Sequence, residues 1–458
     1  MTKAPSSLPG GALPALGAGP DRMPASHDSL ARELFPPLTG RVTWGLTRIH
    51  GILAGIGHPL RRVPVLHVGG TNGKGSVGRV WAGILEEAGL RVGLYSSPDL
   101  VSFRERILVN GRPFPDEALL ELAQELHPHL LRESPSLFEA STALAFLAME
   151  RAGVEVAVVE VGLGGRLDAT NVVSPVVSVI TNVTMDHADL LGGTLPEIAL
   201  EKAGILKAGV PAYTGSQDPA VLEVLTREAA TLGVPLTRVG PPRGTVTAAG
   251  ISLSVRTRRW GELELKSPLV GRHQLENVAL AVRSLEALPP RIPITATCIR
   301  KGVARARLPG RFQVERTDAG LWVLDVAHNP AAARVLVSTL QEVELPAPRI
   351  GVVQIMKDKD VPAILKELAQ GLDGMVLVTD PSTPEDRRWE PGEAELALPR
   401  GFPTRKSDSV AEGLEQARTW AERGGSVLVT GSFSVVALAL RALDRIPREA
   451  LPPSSGFG

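Results

Sequence analysis

The stretch Gly69-Gly70-Thr71-Asn72-Gly73-Lys74-Gly75-Ser76 constrains this chain more than any other. It follows a short apolar run, Val63–Val68. It precedes Ser76–Ala88, where Val77, Val80, Trp81, Ile84 and Leu85 recur at helical spacing. In a strand–glycine turn–helix unit, backbone N–H groups turn towards an anion and the helix N-terminus adds its positive end. Lys74 is placed to reach the β- and γ-phosphates, and Ser76 to support the metal or phosphates. The generic pattern has Ser or Thr directly after Lys. Here Gly75 intervenes, so the loop is a variant. A glycine-rich turn without ligand is the alternative, and the strand before, the lysine inside and the helix after weigh against it. The stretch is read as a phosphate-binding loop that holds ATP.

Around the loop the chain alternates between apolar runs and helical patterns. Arg91–Tyr95, Val154–Glu160 and Val176–Thr181 read as strands, and Glu139–Ala152 as a helix. This rhythm predicts a mostly parallel sheet covered by helices. At Thr245–Ser267 the pattern changes. Polar Thr245, Ser252, Ser254 and Arg256 alternate with Val246, Ile251, Leu253 and Val255, which predicts antiparallel hairpins. Helices follow at about His273–Leu288 and near Ile294–Ala306. Leu308-Pro309-Gly310-Arg311 then reads as a hinge, because Pro and Gly end helices. Beyond it Leu321–Val326, Ile350–Gln354, Met375–Thr379 and Val427–Thr430 read as strands, with helices beginning near Pro330, Asp360, Ser409 and Ser434. A second α/β unit is expected there.

Composition narrows the function classes. The 458 residues suggest two or three domains. Lys+Arg and Asp+Glu both number 49, so the charge cancels and nothing favours nucleic acid or an anionic membrane as partner. The single cysteine, Cys298, excludes an intrachain disulfide and a Cys-rich metal site, and a cytoplasmic protein is expected. No apolar run is long enough to predict a spanning helix. Residues 1–26, rich in Pro, Gly, Ala and Ser, are read as a disordered tail or an artefact of start-site choice.

Other residues carry candidate chemistry. Glu160 ends a buried strand, where α/β sheets place ligands, and a carboxylate beside phosphate oxygens suits Mg²⁺. A strand-end charge facing water is an equal alternative. Asp186-His187 follows the next strand, and a neutral imidazole can ligate a metal; a solvated loop histidine is the plainer reading. Glu201-Lys202-Ala203-Gly204-Ile205-Leu206-Lys207 reads by chemistry alone as a solvated helix end. Asp325-Val326-Ala327-His328-Asn329-Pro330 puts an acid at a strand end. Asp325 either accepts ribose hydroxyls or caps the following turn.

Taken together, these segments resemble the folylpolyglutamate synthase/dihydrofolate synthase family within the Mur ligase superfamily. The resemblance runs from about Val42 to Val436. It rests on HVGGTNGKGS (67–76), Ser97-Pro98-Asp99-Leu100 leading to Glu105-Arg106-Ile107, Phe138-Glu139, EVGLGGRLDATN (160–171), Asp186-His187 and EKAGILK (201–207). It continues through GRHQLEN (271–277), Pro309-Gly310-Arg311, DVAHNP (325–330), Lys357-Asp358-Lys359-Asp360 and Thr430-Gly431-Ser432.

The resemblance implies an α/β fold: an N-terminal P-loop-type ATP-binding domain with a mostly parallel sheet (27–308) and a smaller Rossmann-like C-terminal domain (309–446), followed by a tail at 447–458. It implies that Thr71, Asn72, Gly73, Lys74, Gly75 and Ser76 hold ATP phosphates, with Asn277, Arg311, Asp325 and His328 as further nucleotide contacts. Ser97, Glu160 and His187 match magnesium-associated positions, and a monovalent cation is a further expectation. Val42, Thr43, Trp44, Ser136, Leu137, Phe138, Glu139, Leu167, Asp168 and Ala169 fall where similar proteins bind dihydropteroate. Lys202 matches a lysine that the family carbamylates. Two positions depart from the pattern: Asp99 stands where His is frequent and puts a charge near the metal, and Gly70 replaces a frequent Ala, a small change. The implied reaction adds L-glutamate to dihydropteroate and to reduced folates through an acyl phosphate, in a monomeric enzyme with Lys74, His187 and Lys202 as catalytic residues. A Mur-type ligase acting on a UDP-muramoyl peptide, an enzyme with only the folylpolyglutamate synthase activity, and a nucleotide-binding regulator are the rivals. Gly75-Ser76 and LDATN favour the folate branch.

Overall fold

The computed structural model describes residues 29–35, 44–317, 320–390, 392, 395–422 and 424–443. The tails expected at 1–26 and 447–458 lie outside these residues, as do Val42 and Thr43. The first sheet comprises β1 (Val65–Gly69), β2 (Val92–Tyr95), β3 (Ile107–Val109), β4 (Arg112–Pro113), β5 (Val156–Glu160), β6 (Pro175–Ile180), β7 (Ala212–Thr214) and β8 (Leu236–Arg238). Its spatial order is β4-β3-β2-β5-β1-β6-β7-β8. Pairing is parallel from β2 to β8, and only the β2-β3-β4 edge is antiparallel.

Both faces of this sheet are covered, which is why its central strands read as continuous apolar runs. Leu66, Val68, Val156 and Val158 pack with Val77, Val80, Trp81 and Ile84 of the helix Lys74–Glu87. Val65, Ala157 and Val159 pack on the other side with Ala140, Leu144, Phe146 and Leu147 of the helix Leu137–Arg151. That second helix begins with a capping box, in which Ser136 and Glu139 exchange hydrogen bonds with each other's backbone N–H.

The hairpins expected in 245–267 are present as β9 (Arg243–Thr247), β10 (Gly250–Arg256) and β11 (Glu262–Ser267), all antiparallel. Their apolar side, Ile251, Leu253, Val255, Leu263 and Leu265, joins the core around Trp81. After the junction at 308–311 comes the second large sheet: β12 (Gln313–Thr317), β13 (Gly320–Leu324), β14 (Arg349–Val353), β15 (Gly374–Val378), β16 (Thr404–Ser407) and β17 (Ser426–Thr430). Its order is β12-β13-β17-β14-β15-β16, parallel except for the β12–β13 hairpin. Its helices begin at Pro330, Val361, Val410 and Phe433, within one residue of the expected starts. Asn329, Asp360 and Ser409 each accept a backbone N–H from the first turn that follows.

Some elements were not anticipated, including β3, β4, β7, β8, β12 and β16. The β3–β4 turn carried a readable signal, because Asn110-Gly111 is a strong two-residue hairpin sequence. Both residues adopt positive φ, 50° and 68°.

The helix after the phosphate loop is held against the helix Ala296–Arg305 at very close range. A Cβ on Gly302 would fall 2.4 Å from the backbone N and Cα of Ile84, and one on Gly83 would fall 2.8 Å from the Gly302 carbonyl oxygen. Backbone cannot yield as a side-chain tip can. Gly302→Ala is therefore expected to cost about 1–3 kcal/mol of stability. A urea midpoint unchanged from wild type would show that the two helices can part without penalty.

Candidate active site

Three neighbouring strands deliver the main residues to one sheet edge. The order β5-β1-β6 sets Glu160 beside Val68 and Ile180 beside Gly69. The phosphate loop leaves the middle strand, Glu160 ends one neighbour, and the segment 181–187 leaves the other. Carboxyl ends of parallel strands are where such sheets gather ligands.

The loop is tied down from the β6 side. Thr71 N–H donates to Asn182 O at 2.8 Å, and Asn72 N–H to Asn182 Oδ1 at 2.9 Å. Thr181 Oγ1 donates to Asn72 O at 2.6 Å, and Thr184 N–H to Thr71 Oγ1 at 3.1 Å. Gly73 opens the following helix with φ 89° and no side-chain cap, which leaves its first N–H groups free for an anion. Asn277 packs over that turn, since a Cβ on Gly73 would fall 2.3 Å from Asn277 Oδ1. Gly75 is under no such pressure; its Cβ position lies 3.7 Å from Glu160 Oε2. Ser76 is buried.

Two lysines converge on one carbonyl. Lys74 Nζ donates to Gly70 O at 3.1 Å and to Thr71 O at 3.0 Å, and Lys202 Nζ donates to Gly70 O at 3.1 Å. Burial, reinforced by the Lys74 charge, pushes the Lys202 amine down to about 7. Lys202 is thus no solvated helix end, contrary to the reading from chemistry alone. Its helix, Leu195–Ala203, is locked onto the 160–171 loop. Arg166 N–H donates to Glu201 O at 2.9 Å, and Asn171 Nδ2 donates to Gly204 O at 3.0 Å.

Glu160 is buried, not water-facing, which overturns the alternative given for it. Burial pushes its carboxyl up to about 7 against the opposing charges of Lys74, Arg311 and Arg79 and a hydrogen bond from the Ser97 backbone. His187 lies exposed in the loop at φ 50°, with Nε2 3.9 Å from Asp186 Oδ1. Desolvation lowers its pKa, leaving a neutral imidazole able to ligate a metal. Among the described residues no three His, Cys, Asp or Glu side chains form a ready-made metal cage. The single Glu160 carboxylate fits Mg²⁺, which takes one or two carboxylates and completes its shell with phosphate oxygens and water.

The second unit contributes Arg311, Asp325 and His328. Arg311 lies with its guanidinium 5.2 Å from the Phe433 ring centre, and the His328 ring sits tilted at 51° against that ring with centres 5.5 Å apart. Asp325 accepts Phe312 N–H at 2.8 Å and Ala327 N–H at 2.9 Å, so it does cap its own turn; its remaining lone pairs are what a ribose could use. Arg311 feels the charges of both Asp325 and Glu160, which links the two units.

Of the residues expected on the dihydropteroate side, Phe138 and Asp168 meet at Gly162. A Cβ there would fall 2.3 Å from the Phe138 ring, and Gly162 N–H donates to Asp168 Oδ2 at 3.0 Å. Leu137 and Phe138 both pack against the core that includes Ala140 and Phe146, Ala169 is buried, and Leu167 is exposed. Trp44 belongs to a separate apolar cluster with Leu163. Ser136 and Glu139 are occupied by their capping box, and Arg48 grips Glu139 from across at 3.0 Å. Sequence reasoning missed Arg48, Arg79, Thr181, Asn182 and Phe433 as site residues. Phe433 and Arg79 follow quoted motifs and Thr181 ends an expected strand, but only the fold shows what each of them meets.

The two departures look different in three dimensions. Asp99 forms a buried pair with Arg106 at 2.5 Å, so its charge is matched locally. Gly70 is not a small change: its φ is 132°, and a Cβ would fall 1.9 Å from Thr181 Oγ1 and 2.9 Å from Thr181 N.

A loop of this form, an acidic neighbouring strand and a second α/β unit define an ATP-dependent ligase of the Mur type. The Mur ligase middle-domain family matches residues 68–285, and the Mur ligase glutamate ligase domain matches 310–433. The chain is 36% identical to folylpolyglutamate synthase of Lacticaseibacillus casei over 74% of this chain and 81% of that one. It is 34% identical to dihydrofolate synthase/folylpolyglutamate synthase of Escherichia coli over 87% and 91%. The structure of E. coli FolC in complex with DHPP and ADP superimposes with a TM-score of 0.80 at 33% identity, covering 92% of this chain and 99% of that one. The chain belongs to the folylpolyglutamate synthase/dihydrofolate synthase family.

The Gly70 geometry leads to a direct test. Gly70→Ala is expected to cost about 1–3 kcal/mol and to weaken ATP binding, because the carbonyl that receives both lysines must move. Unaltered melting and ATP affinity by calorimetry would refute the requirement for glycine.

Proposed function

We propose that this enzyme joins L-glutamate to dihydropteroate and to reduced folates at the expense of ATP. The observation that carries this is the convergence of the phosphate loop, Glu160 and the 181–187 segment at one edge of β5-β1-β6. Beside that edge Phe138 and Asp168 meet at Gly162.

A carboxylate does not form an amide directly, because oxide is a poor leaving group. In the proposed reaction the acceptor's carboxylate oxygen attacks the γ-phosphorus, the bond to the β-phosphate oxygen breaks, and ADP leaves. The glutamate amine then attacks the acyl carbon and loses a proton, and phosphate departs with both bonding electrons. The protein's part is positioning and charge neutralisation. Thr71 to Ser76 hold the phosphates through backbone N–H groups, and Lys74 leaves its two carbonyl partners to meet charge on the transferring phosphoryl group. Asn277, Arg311, Asp325 and His328 hold the rest of the nucleotide. Ser97, Glu160 and His187 would hold Mg²⁺, which when bound neutralises phosphate charge. Trp44, Phe138, Leu167, Asp168 and Ala169 face the pterin. Residues 309–446 act as the second domain, and the enzyme works as a cytoplasmic monomer.

Lys202 is proposed to be carbamylated. Its neutral amine adds to CO₂, forming an N–C bond and releasing one proton. With its pKa near 7, the amine is protonated and unreactive below that value and neutral above it. Incorporation of ¹³C-bicarbonate, read by NMR, is expected to rise between pH 6 and 8. No labelled carbamate at pH 8 would refute the modification.

A narrower reading, polyglutamate extension alone, draws on the L. casei relative, which is named only folylpolyglutamate synthase. Phosphate release with dihydropteroate and tetrahydrofolate tested side by side separates the two. Release that depends on both glutamate and each acceptor supports the proposal; release with tetrahydrofolate alone supports the narrower reading, and release with neither rejects both. Lys74→Ala is expected to lower turnover by about a thousandfold or more with unchanged circular dichroism, and near-normal turnover would remove Lys74 from the mechanism.

A further inference from the structure

His67 is out of place in β1 by composition. Leu66 and Val68 fill the core on one face, and Val65, with His67 by alternation, turns to the other. The imidazole is fully buried, which is costly unless its polar atoms are bonded. Its Nε2 lies 3.0 Å from Thr170 Oγ1. Thr170, also fully buried, donates its hydroxyl hydrogen to Asp168 Oδ1. A hydroxyl has one hydrogen, so Thr170 accepts from His67, and His67 carries its proton on Nε2. Nδ1 has no protein partner. Burial holds the imidazole down at about 3, so it stays neutral with a single donor.

The relay ends on a carboxylate with four donors. Asp168 Oδ1 also accepts Thr170 N–H at 2.9 Å, while Oδ2 accepts Gly162 N–H at 3.0 Å and Leu163 N–H at 2.9 Å. His67 stands two residues before Gly69, and Gly162 two residues after Glu160. A single line of hydrogen bonds therefore spans from the strand beneath the phosphate loop to the turn that carries the Phe138 contact.

We propose that His67 and Thr170 are positioning residues that set the Asp168 carboxylate and the Gly162–Leu163 backbone for the pterin end of the acceptor. Neither touches substrate; both act through Asp168. The inference rests on the reading, given under Proposed function, that Asp168 faces the pterin. Without the His67–Thr170 pair, Asp168 loses its hydroxyl donor and the turn loses its fixed distance from the phosphate loop.

Steady-state kinetics on the full chain, with ATP, L-glutamate and dihydropteroate, test this. Thr170→Val is expected to raise KM for dihydropteroate about tenfold while KM for ATP stays within about twofold. Thr170→Ser keeps the hydroxyl and His67→Gln keeps a donor at the Nε2 position, so both are expected to retain the parental ratio of the two KM values. An equal rise in both KM values for Thr170→Val, or no rise in either, overturns the inference. Loss of the ratio in Thr170→Ser overturns it as well. Should Thr170→Val fail to fold by circular dichroism, Thr170→Ala decides on the same criterion. A wild type whose turnover does not depend on a pteroate substrate overturns the functional reading and this inference together; a wild type that turns over normally confines any failure to the relay.

Discussion

Everything in the active site hangs on the Gly70 carbonyl. Lys74 and Lys202 both donate to it, one from the helix after the loop and one from a helix far along the chain. Two ammonium groups at one oxygen repel, which favours loss of the proton from the more buried of them. That is the physical origin of the lowered Lys202 pKa, after desolvation itself. The same carbonyl is aimed by a backbone twist only glycine adopts easily. The loop's shape, the state of Lys202 and the availability of Lys74 for phosphate are thus one coupled arrangement.

Charge compensation across the cleft is the second theme. Glu160 is buried, Arg311 and Asp325 are half-buried, and Arg311 feels both carboxylates. A buried charge is tolerated when partners surround it. Here the partners come from two units whose cores are separate, one around Trp81 and the other around Trp322 and Leu324. The contact is reinforced next to Gly310. Leu100, from the loop after β2, packs into the second unit's core, and Arg441 donates to Val101 O at 2.9 Å. Glu105 holds that loop from within by accepting N–H groups of Leu100, Val101 and Ser102. Ser97 therefore sits on a segment clamped between both units.

Much was legible in the sequence because it is local. The strand–loop–helix around Lys74, the helix starts near Pro330, Asp360 and Ser409, and the alternation in 245–267 are short-range signals that depend only on spacing and residue type. Short edge strands such as β7 and β16 were not legible, since three or four residues carry too little pattern to separate a strand from a loop. The two strand-end carboxylates illustrate the boundary. Their positions were readable, but whether Glu160 faces water or interior, and whether Asp325 caps its turn, were left open until the neighbours were known.

The sequence by itself determined the phosphate loop, the β-α rhythm on either side of 308–311 and the family to which the chain belongs. Each of these is written in contiguous residues whose backbone preferences act locally. Only the tertiary structure decided that Lys202 meets Lys74, that Asp99 is neutralised by Arg106, that Gly70 admits no Cβ, and that His67 reaches Asp168 through Thr170. Those facts depend on which strands become neighbours. The order β5-β1-β6 follows from burying both sheet faces at once, a condition imposed by the whole core and by no single segment.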